Sequence, residues 1–215
     1  MQVFRSLLRP DESAGRAMRC AHRLWVFFWL TVFGLGVGLL SLYLTAHACP
    51  GIDAQALWAS YFKLPLLAAM NLLMPLLLVY LGFFLFARPW AAYLLSAVPF
   101  LALALANYYK IQLRGDPVLA SDLRLIRTAG GIMGNYSFEL SAPVETVIAG
   151  FVLMLLLSLL LLRRERMSVR ARLAGVMLSL SLTLAGGFEL YPDAAIYEKT
   201  ANGGLINPWS EAEIY

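Results

Sequence analysis

Three charged side chains and one amide lie close together in one segment of the chain, and together they could bind an anionic head group. Lys110 and Arg114 are four residues apart, so they share a face if the helix before them continues past Tyr109. There they could meet one phosphate, and an arginine can bind two phosphate oxygens at once. Asp122 cannot attract a phosphate, but it could accept hydrogen bonds from hydroxyl groups or hold Arg114 in position. Asn107 belongs to the same stretch and completes the predicted lipid head-group site.

A simpler interpretation of these residues is structural. Lys110 and Arg114 could extend to the membrane interface as basic residues beyond a span often do. Ser121 could cap a short helix, and Asp122 in its first turn would then stabilise the helix dipole. That helix would cover residues 122–128 and lie on the membrane surface. Both interpretations stay open on the residues alone.

No other part of the chain has the spacing of an active site. The sequence contains no H-E-x-x-H, Cys-x-x-Cys, P-loop or G-x-S-x-G motif. Cys20 and Cys49 flank the first apolar run, as do His22 and His47. A disulfide within one chain and a metal site built on both histidines are therefore excluded. We expect no catalytic residue, metal ligand or cofactor in this sequence.

The composition is that of a membrane protein. Of the 215 residues, 60% are hydrophobic and only 14% are charged, whereas a soluble domain carries about 25% charged residues. Five apolar runs have about the length needed to cross a bilayer, and none contains Lys or Arg. We predict an all-α integral membrane protein with five transmembrane helices and an interfacial helix between spans three and four. The predicted spans are 24–44, 64–86, 90–109, 143–162 and 173–190.

The basic residues are divided unequally between the two sides. Of the 17 Lys and Arg, 11 lie on the side of the N-terminus, and short loops rich in Lys and Arg stay cytoplasmic. We predict a cytoplasmic basic tail at 1–23, a five-span domain at 24–190 and an extracytoplasmic tail or truncated linker at 191–215. Despite the net charge of +4, we expect no nucleic-acid partner. Cleavage at Ala46-His47-Ala48 is a minor alternative, because the run before it is longer than a signal peptide's apolar core.

Features within the spans predict how the helices meet. Gly34 and Gly38 are one helical turn apart, which favours close helix packing. Asn71, flanked by two prolines, could form a buried interhelical hydrogen bond or line a polar cavity, and the first is favoured. Spans two and three should form a tight hairpin, with Pro89 in the first turn of the later helix.

The candidate site also carries a resemblance to a known family. Asn107-Tyr108-Tyr109-Lys110, then Arg114-Gly115-x-Pro117, then Ser121-Asp122-Leu123 closely resembles a motif of the lipoteichoic acid synthase family of membrane phosphoglycerol transferases. That family is also similar to enzymes that decorate periplasmic glucans. Its members have five N-terminal spans, with this motif after the third and an extracytoplasmic domain of the alkaline phosphatase and sulfatase type after the fifth. The resemblance covers the chain in layout and residues 107–123 in detail.

The resemblance implies a reaction and a location. Such enzymes take glycerol phosphate from phosphatidylglycerol, pass it through a threonine ester and use a divalent metal, typically manganese. The threonine and the metal ligands belong to the outer domain, whereas only residues 191–215 follow the fifth span here. We expect a truncated product, an outer domain on a separate polypeptide, or loss of that domain.

The implied role is a membrane module in a bacterial plasma membrane. It would anchor an extracytoplasmic catalytic domain and present phosphatidylglycerol for synthesis of a cell-envelope polymer. Whether the chain belongs to an active enzyme stays open at this point. The alternative is a stand-alone multi-pass membrane protein, either a small transporter or an assembly partner, without catalysis.

Overall fold

The computed structural model describes residues 16–49, 51, 53–63, 65–118, 140–162, 164–165 and 167–190, which contain α-helices and no β-strand. Five helices are long and apolar enough to cross a membrane, which confirms the all-α, five-span class. In chain order the helices are α1 (Arg16–Ala46), α2 (Ala54–Lys63), α3 (Pro65–Phe86), α4 (Pro89–Arg114), α5 (Ala142–Leu161) and α6 (Val169–Ala185), and a π-helical turn (Gly186–Leu190) continues α6.

Each predicted span matches one long helix, but three helices extend beyond their apolar runs. α1 begins before residue 24, α4 continues to Arg114, and α6 begins at Val169. A helix satisfies its own backbone hydrogen bonds, so its polar ends can continue into the interface without loss. The ten-residue α2 was not predicted and is too short to span a bilayer. The interfacial helix predicted over 122–128 lies outside the described residues.

Three helices form the centre of the bundle. α1, α3 and α4 pack against one another, α5 packs on α1 and α4, and α6 packs on α3. Leu30, Phe33 and Tyr93 are fully buried between them. The Tyr93 hydroxyl donates a hydrogen bond to the carbonyl of Phe151 at 3.1 Å, which ties α4 to α5.

Glycines set the distance between α1 and α3. A Cβ atom added to Gly34 would lie 2.7 Å from the Cα of Leu76, and one added to Gly38 would lie 2.7 Å from the Leu72 side chain. The two backbones could not approach this closely with larger residues. The predicted close packing at this glycine pair is confirmed.

The turn between α3 and α4 is as tight as predicted. Ala87 has a φ of 53°, and its N–H donates to the carbonyl of Phe83 at 2.7 Å. Pro89 begins α4, where the missing N–H costs nothing. Farther along the hairpin, the Ser96 hydroxyl donates to the carbonyl of Pro75 at 2.8 Å. The hairpin is therefore fixed both at its turn and halfway along.

The alternating directions of the spans give the bundle two ends. The first, the arginine end, holds the start of α1 and the α3–α4 and α5–α6 connections, with Arg23, Arg88, Arg164, Arg170 and Arg172. The second, the loop end, holds α2, the end of α4 and the start of α5. Asn107, Lys110 and Arg114 of the predicted head-group site belong to the loop end.

Candidate functional site

The residues after α4 fold back onto the helix. Gly115 adopts the left-handed conformation with a φ of 78°, and its N–H donates to the carbonyl of Ile111 at 2.9 Å. Glycine reaches this conformation without strain, so the helix ends here. The Lys110 ammonium lies 2.7 Å from a carboxylate oxygen of Asp116 and donates to the carbonyl of Pro117 at 2.7 Å. One lysine thus holds both residues that follow the glycine.

Asn107 holds the same segment at a second point. Its side-chain carbonyl accepts a hydrogen bond from the N–H of Val118 at 2.9 Å. Residues 107–118 therefore form one unit, which we call the turn clamp. The clamp joins the Asn-Tyr-Tyr-Lys residues of the motif to the Arg-Gly-x-Pro residues.

The two predicted phosphate ligands differ in their exposure and in their partners. α4 continues past Tyr109, so Lys110 and Arg114 share a face as predicted. Lys110 is only 13% exposed, and its charge is paired with Asp116. Arg114 is exposed at the end of α4, and within the described residues it makes no hydrogen bond or ion pair. Asp122 lies outside the described residues.

Neighbouring elements hold the clamp in place. The Tyr108 hydroxyl lies 2.8 Å from the Ser141 hydroxyl, at the start of α5. The Gln112 amide donates to the carbonyl of Ala48 at 3.0 Å, just beyond α1. The clamp is thereby tied to two other spans of the bundle.

A cleft of about 260 Å³ lies directly below the clamp, between α1, α3 and α4. Asn107 and Val118 of the clamp form part of its wall. Its other polar members are Ser41, Thr45 and Asn71. The rest of its lining is formed by Gly38, Leu42, Pro75, Phe100, Leu103 and Ala104.

The favoured prediction for Asn71, a buried interhelical hydrogen bond, is wrong. Its side chain is exposed and lines the cleft, and among the described residues it makes no hydrogen bond. The alternative of a polar cavity was the right one. Pro75 affects the backbone at the same position, because it has no N–H to donate to the carbonyl of Asn71 one turn earlier. The backbone carbonyl of Asn71 therefore lacks its usual helical donor, at the same position as the unpaired side-chain amide.

A second cavity of about 360 Å³ lies at the arginine end. Two of its polar residues are already paired: Glu165 lies 2.6 Å from the His22 ring, and the Ser168 hydroxyl accepts from the N–H of Ala171. Its remaining lining residues are Arg23, Val26, Phe27, Phe83 and Met167. Arg23 makes no hydrogen bond or ion pair among the described residues, so this cavity differs from the cleft in offering a ligand a cation.

Hydrogen bonds across the loops close the arginine end. The N–H of Glu165 donates to the carbonyl of Ala87 at 2.9 Å. Arg172 donates to the carbonyl of Phe84 at 3.1 Å and also to that of Leu85, where α3 ends. A cation at a helix C-terminus is favoured by the helix dipole.

Comparison with known proteins adds no assignment. No protein-family model, curated protein or solved structure matches the chain. What the site can bind must therefore be inferred from its own residues. Among the described residues, no group of three or more His, Cys, Asp and Glu could hold a metal ion.

The two cysteines lie near opposite ends of α1 and are both free. Cys20 is exposed, whereas Cys49 is buried. Burial raises the pKa of the Cys49 thiol above its ordinary value. Burial, and to a lesser extent the neighbouring Cys49, raise the pKa of Tyr61 to about 12.

Sequence reasoning missed several residues of the candidate site. The sequence did not predict Ser41 and Thr45 as site residues. In the structure each hydroxyl donates to a carbonyl of its own helix, as serine and threonine hydroxyls in helices often do. Their four-residue spacing does place them on one face of α1. A search for small polar residues on one helix face would have found them.

Proposed function

We propose that this chain is the membrane module of a phosphoglycerol transferase similar to the lipoteichoic acid synthase family. In this proposal it spans a bacterial plasma membrane with its arginine end in the cytoplasm. Its loop end lies outside and presents phosphatidylglycerol to an extracytoplasmic catalytic domain. Manganese, if used, belongs to that catalytic domain.

The turn clamp is the observation that carries this proposal. Lys110 and Pro117, one residue from each of the first two parts of the motif, are hydrogen-bonded to each other. Asn107 and Lys110 also bind Val118 and Asp116, which lie beside the motif positions. The first two parts of the motif therefore belong to one folded turn. The excess of basic residues at the arginine end supports the orientation.

Within the clamp, Arg114 is the group proposed to bind the head-group phosphate. Lys110 is neutralised by Asp116, so it adds little attraction for an anion. Arg114 keeps its charge and all its donors available, and its planar guanidinium can bind two phosphate oxygens. Phosphatidylglycerol in the outer leaflet would meet this side chain at the end of α4.

Lipid retention tests the proposal directly. Native mass spectrometry of the full chain, released from micelles containing equal phosphatidylglycerol and phosphatidylcholine, should show preferential retention of phosphatidylglycerol. Arg114→Gln should abolish the preference, and Arg114→Lys should weaken it because a lysine makes only a point contact. Arg88→Gln, at the arginine end, is the matched control and should keep the preference. Equal retention of both lipids, or the same loss from Arg88→Gln, would exclude the proposed site.

A further inference from the structure

The cleft below the turn clamp contains hydrogen-bonding groups that the protein leaves free. Asn71 makes no side-chain hydrogen bond among the described residues, and its carbonyl loses its helical donor at Pro75. The side-chain carbonyl of Asn107 is bound to Val118, which leaves the donors of its NH₂ group for the cleft. The cleft therefore offers donors and an acceptor at the same place.

The depth of these groups makes their lack of partners significant. Asn71 lies six residues into α3, or about 9 Å along the helix, and Asn107 lies seven residues before the end of α4, or about 10 Å. Both residues lie within helices that are long and apolar enough to cross a membrane, Ala68–Phe86 and Pro89–Arg114. Polar groups within such a span are costly unless they are hydrogen-bonded. A partner for them is expected to come from outside the chain.

The wall of the cleft selects an uncharged partner. None of the described residues that line it is Lys, Arg, His, Asp or Glu. Of the two cations in the clamp, Lys110 is held by Asp116 and Pro117, and Arg114 does not line the cleft. A phosphate drawn into this wall would lose its hydration without gaining a counter-charge, which is strongly unfavourable. Hydroxyl groups match amides and serine or threonine hydroxyls without that penalty.

The size and the apolar lining of the cleft limit the partner further. Its volume of about 260 Å³ is below the range of about 300–1,000 Å³ that is usual for pockets enclosing drug-sized ligands. A small polar head fits this volume. Leu42, Phe100 and Leu103 line the same cleft, and Leu103 is 53% exposed at its edge. Acyl chains attached to such a head could leave along this apolar edge.

From these observations we infer that the cleft binds the hydroxyl-bearing head of an uncharged glycerolipid, of which a diacylglycerol is the simplest example. Asn71 and Asn107 hydrogen-bond its glycerol and ester oxygens, while the acyl chains lie against α3 and α4. This goes beyond the proposed function, since the cleft and Arg114 would take two lipids of different charge at different depths.

Photolabelling of the full chain in nanodiscs tests the inference. The probes are a diacylglycerol and a phosphatidylglycerol that carry the same photoreactive group on the same acyl chain. The diacylglycerol probe should label peptides that contain Asn71 or Leu103, and unlabelled diacylglycerol should compete, whereas phosphatidylglycerol should not. Asn71→Leu should reduce this labelling about fivefold, as expected for the loss of one or two hydrogen bonds.

Controls separate this inference from loss of folding and from the proposed function. Thr146→Val removes a hydroxyl from α5, away from the cleft, and should leave labelling unchanged. The thermal unfolding midpoint of Asn71→Leu should be at least as high as that of the wild type, because an apolar leucine is favoured within a membrane span. Arg114→Gln should abolish the preference for phosphatidylglycerol yet leave diacylglycerol labelling intact, so either proposal can fail alone. Equal labelling by both probes, labelling unaffected by Asn71→Leu, or cross-linking of Asn71 to a second copy of the chain would overturn the inference.

Discussion

Two glycines on α1 provide a sharp test of how the bundle is packed. Gly34 and Gly36 lie two residues apart and are both buried. A Cβ atom on Gly34 would lie 2.7 Å from the Cα of Leu76, which belongs to the backbone of α3. A Cβ atom on Gly36 would lie 2.3 Å from the terminal methyl of Met154 on α5. The same methyl group is thus added against a rigid helix in one case and a flexible side chain in the other.

The two substitutions should therefore differ in their effect on stability. Relieving the clash at Gly34→Ala requires α1 and α3 to separate, and overpacking of this kind costs about 1–3 kcal/mol. At Gly36→Ala, Met154 can change rotamer, and the gain in helix propensity offsets part of the cost. We expect the free energy of unfolding to change by about 0.5 kcal/mol or less at Gly36.

Reversible unfolding in mixed micelles, with increasing fractions of denaturing detergent, measures both changes against the wild type. Gly34→Leu extends the series and should prevent the bundle from forming, because a larger side chain cannot be accommodated beside a backbone atom. Equal stability of Gly34→Ala and Gly36→Ala would refute the assignment of the α1–α3 contact. A larger loss at Gly36 would refute it as well.

Three further predictions concern the orientation, the buried thiol and the arginine end. In intact cells, a membrane-impermeant maleimide should label Gln55→Cys, which is exposed on α2, and should spare Cys20; the reverse pattern would invert the proposed orientation. In detergent, the rate of maleimide labelling at Cys49 should still increase with pH at about pH 9, because its raised pKa keeps the thiol mostly protonated there. A labelling rate that reaches its plateau below about pH 8 would contradict the burial of this thiol. Arg172→Gln should lower the free energy of unfolding by about 1 kcal/mol, because it loses the hydrogen bonds to the end of α3. Arg170→Gln, at an exposed position, should change the free energy of unfolding little. Equal effects of the two substitutions would show that the hydrogen bonds of Arg172 contribute nothing to stability.

The spans were predictable because their signal is local. A run of apolar residues long enough to cross a bilayer has few structural alternatives, since every backbone group must be hydrogen-bonded within the helix. The tight turn before Pro89 and the close approach at Gly34 followed from residue types that are needed at such places. α2 was missed because residues 54–63 are too short and too mixed in polarity for the span criterion.

The candidate site could be predicted only in part. The four-residue spacing of Lys110 and Arg114 placed them on one face, because that geometry belongs to the helix itself. Their different surroundings depend on where the chain turns after Gly115, which brings Asp116 and Pro117 back to Lys110. The cleft depends on three helices at once, so a pattern along one helix could not reveal it.

Asn107 and Val118 connect the two parts of the loop end. They are bonded to each other in the clamp, and both line the cleft below it. If the clamp opened, Val118 would leave the wall of the cleft, and the side-chain carbonyl of Asn107 would need a new donor. The pairing of Lys110 with Asp116 helps to keep the turn closed beside the cleft, and it occupies one of the two cations of the clamp. Arg114, one turn farther along α4, is exposed and unpaired among the described residues. In the two proposals made above, the turn thus separates a free cation that binds an anionic head group from a cleft that binds an uncharged one.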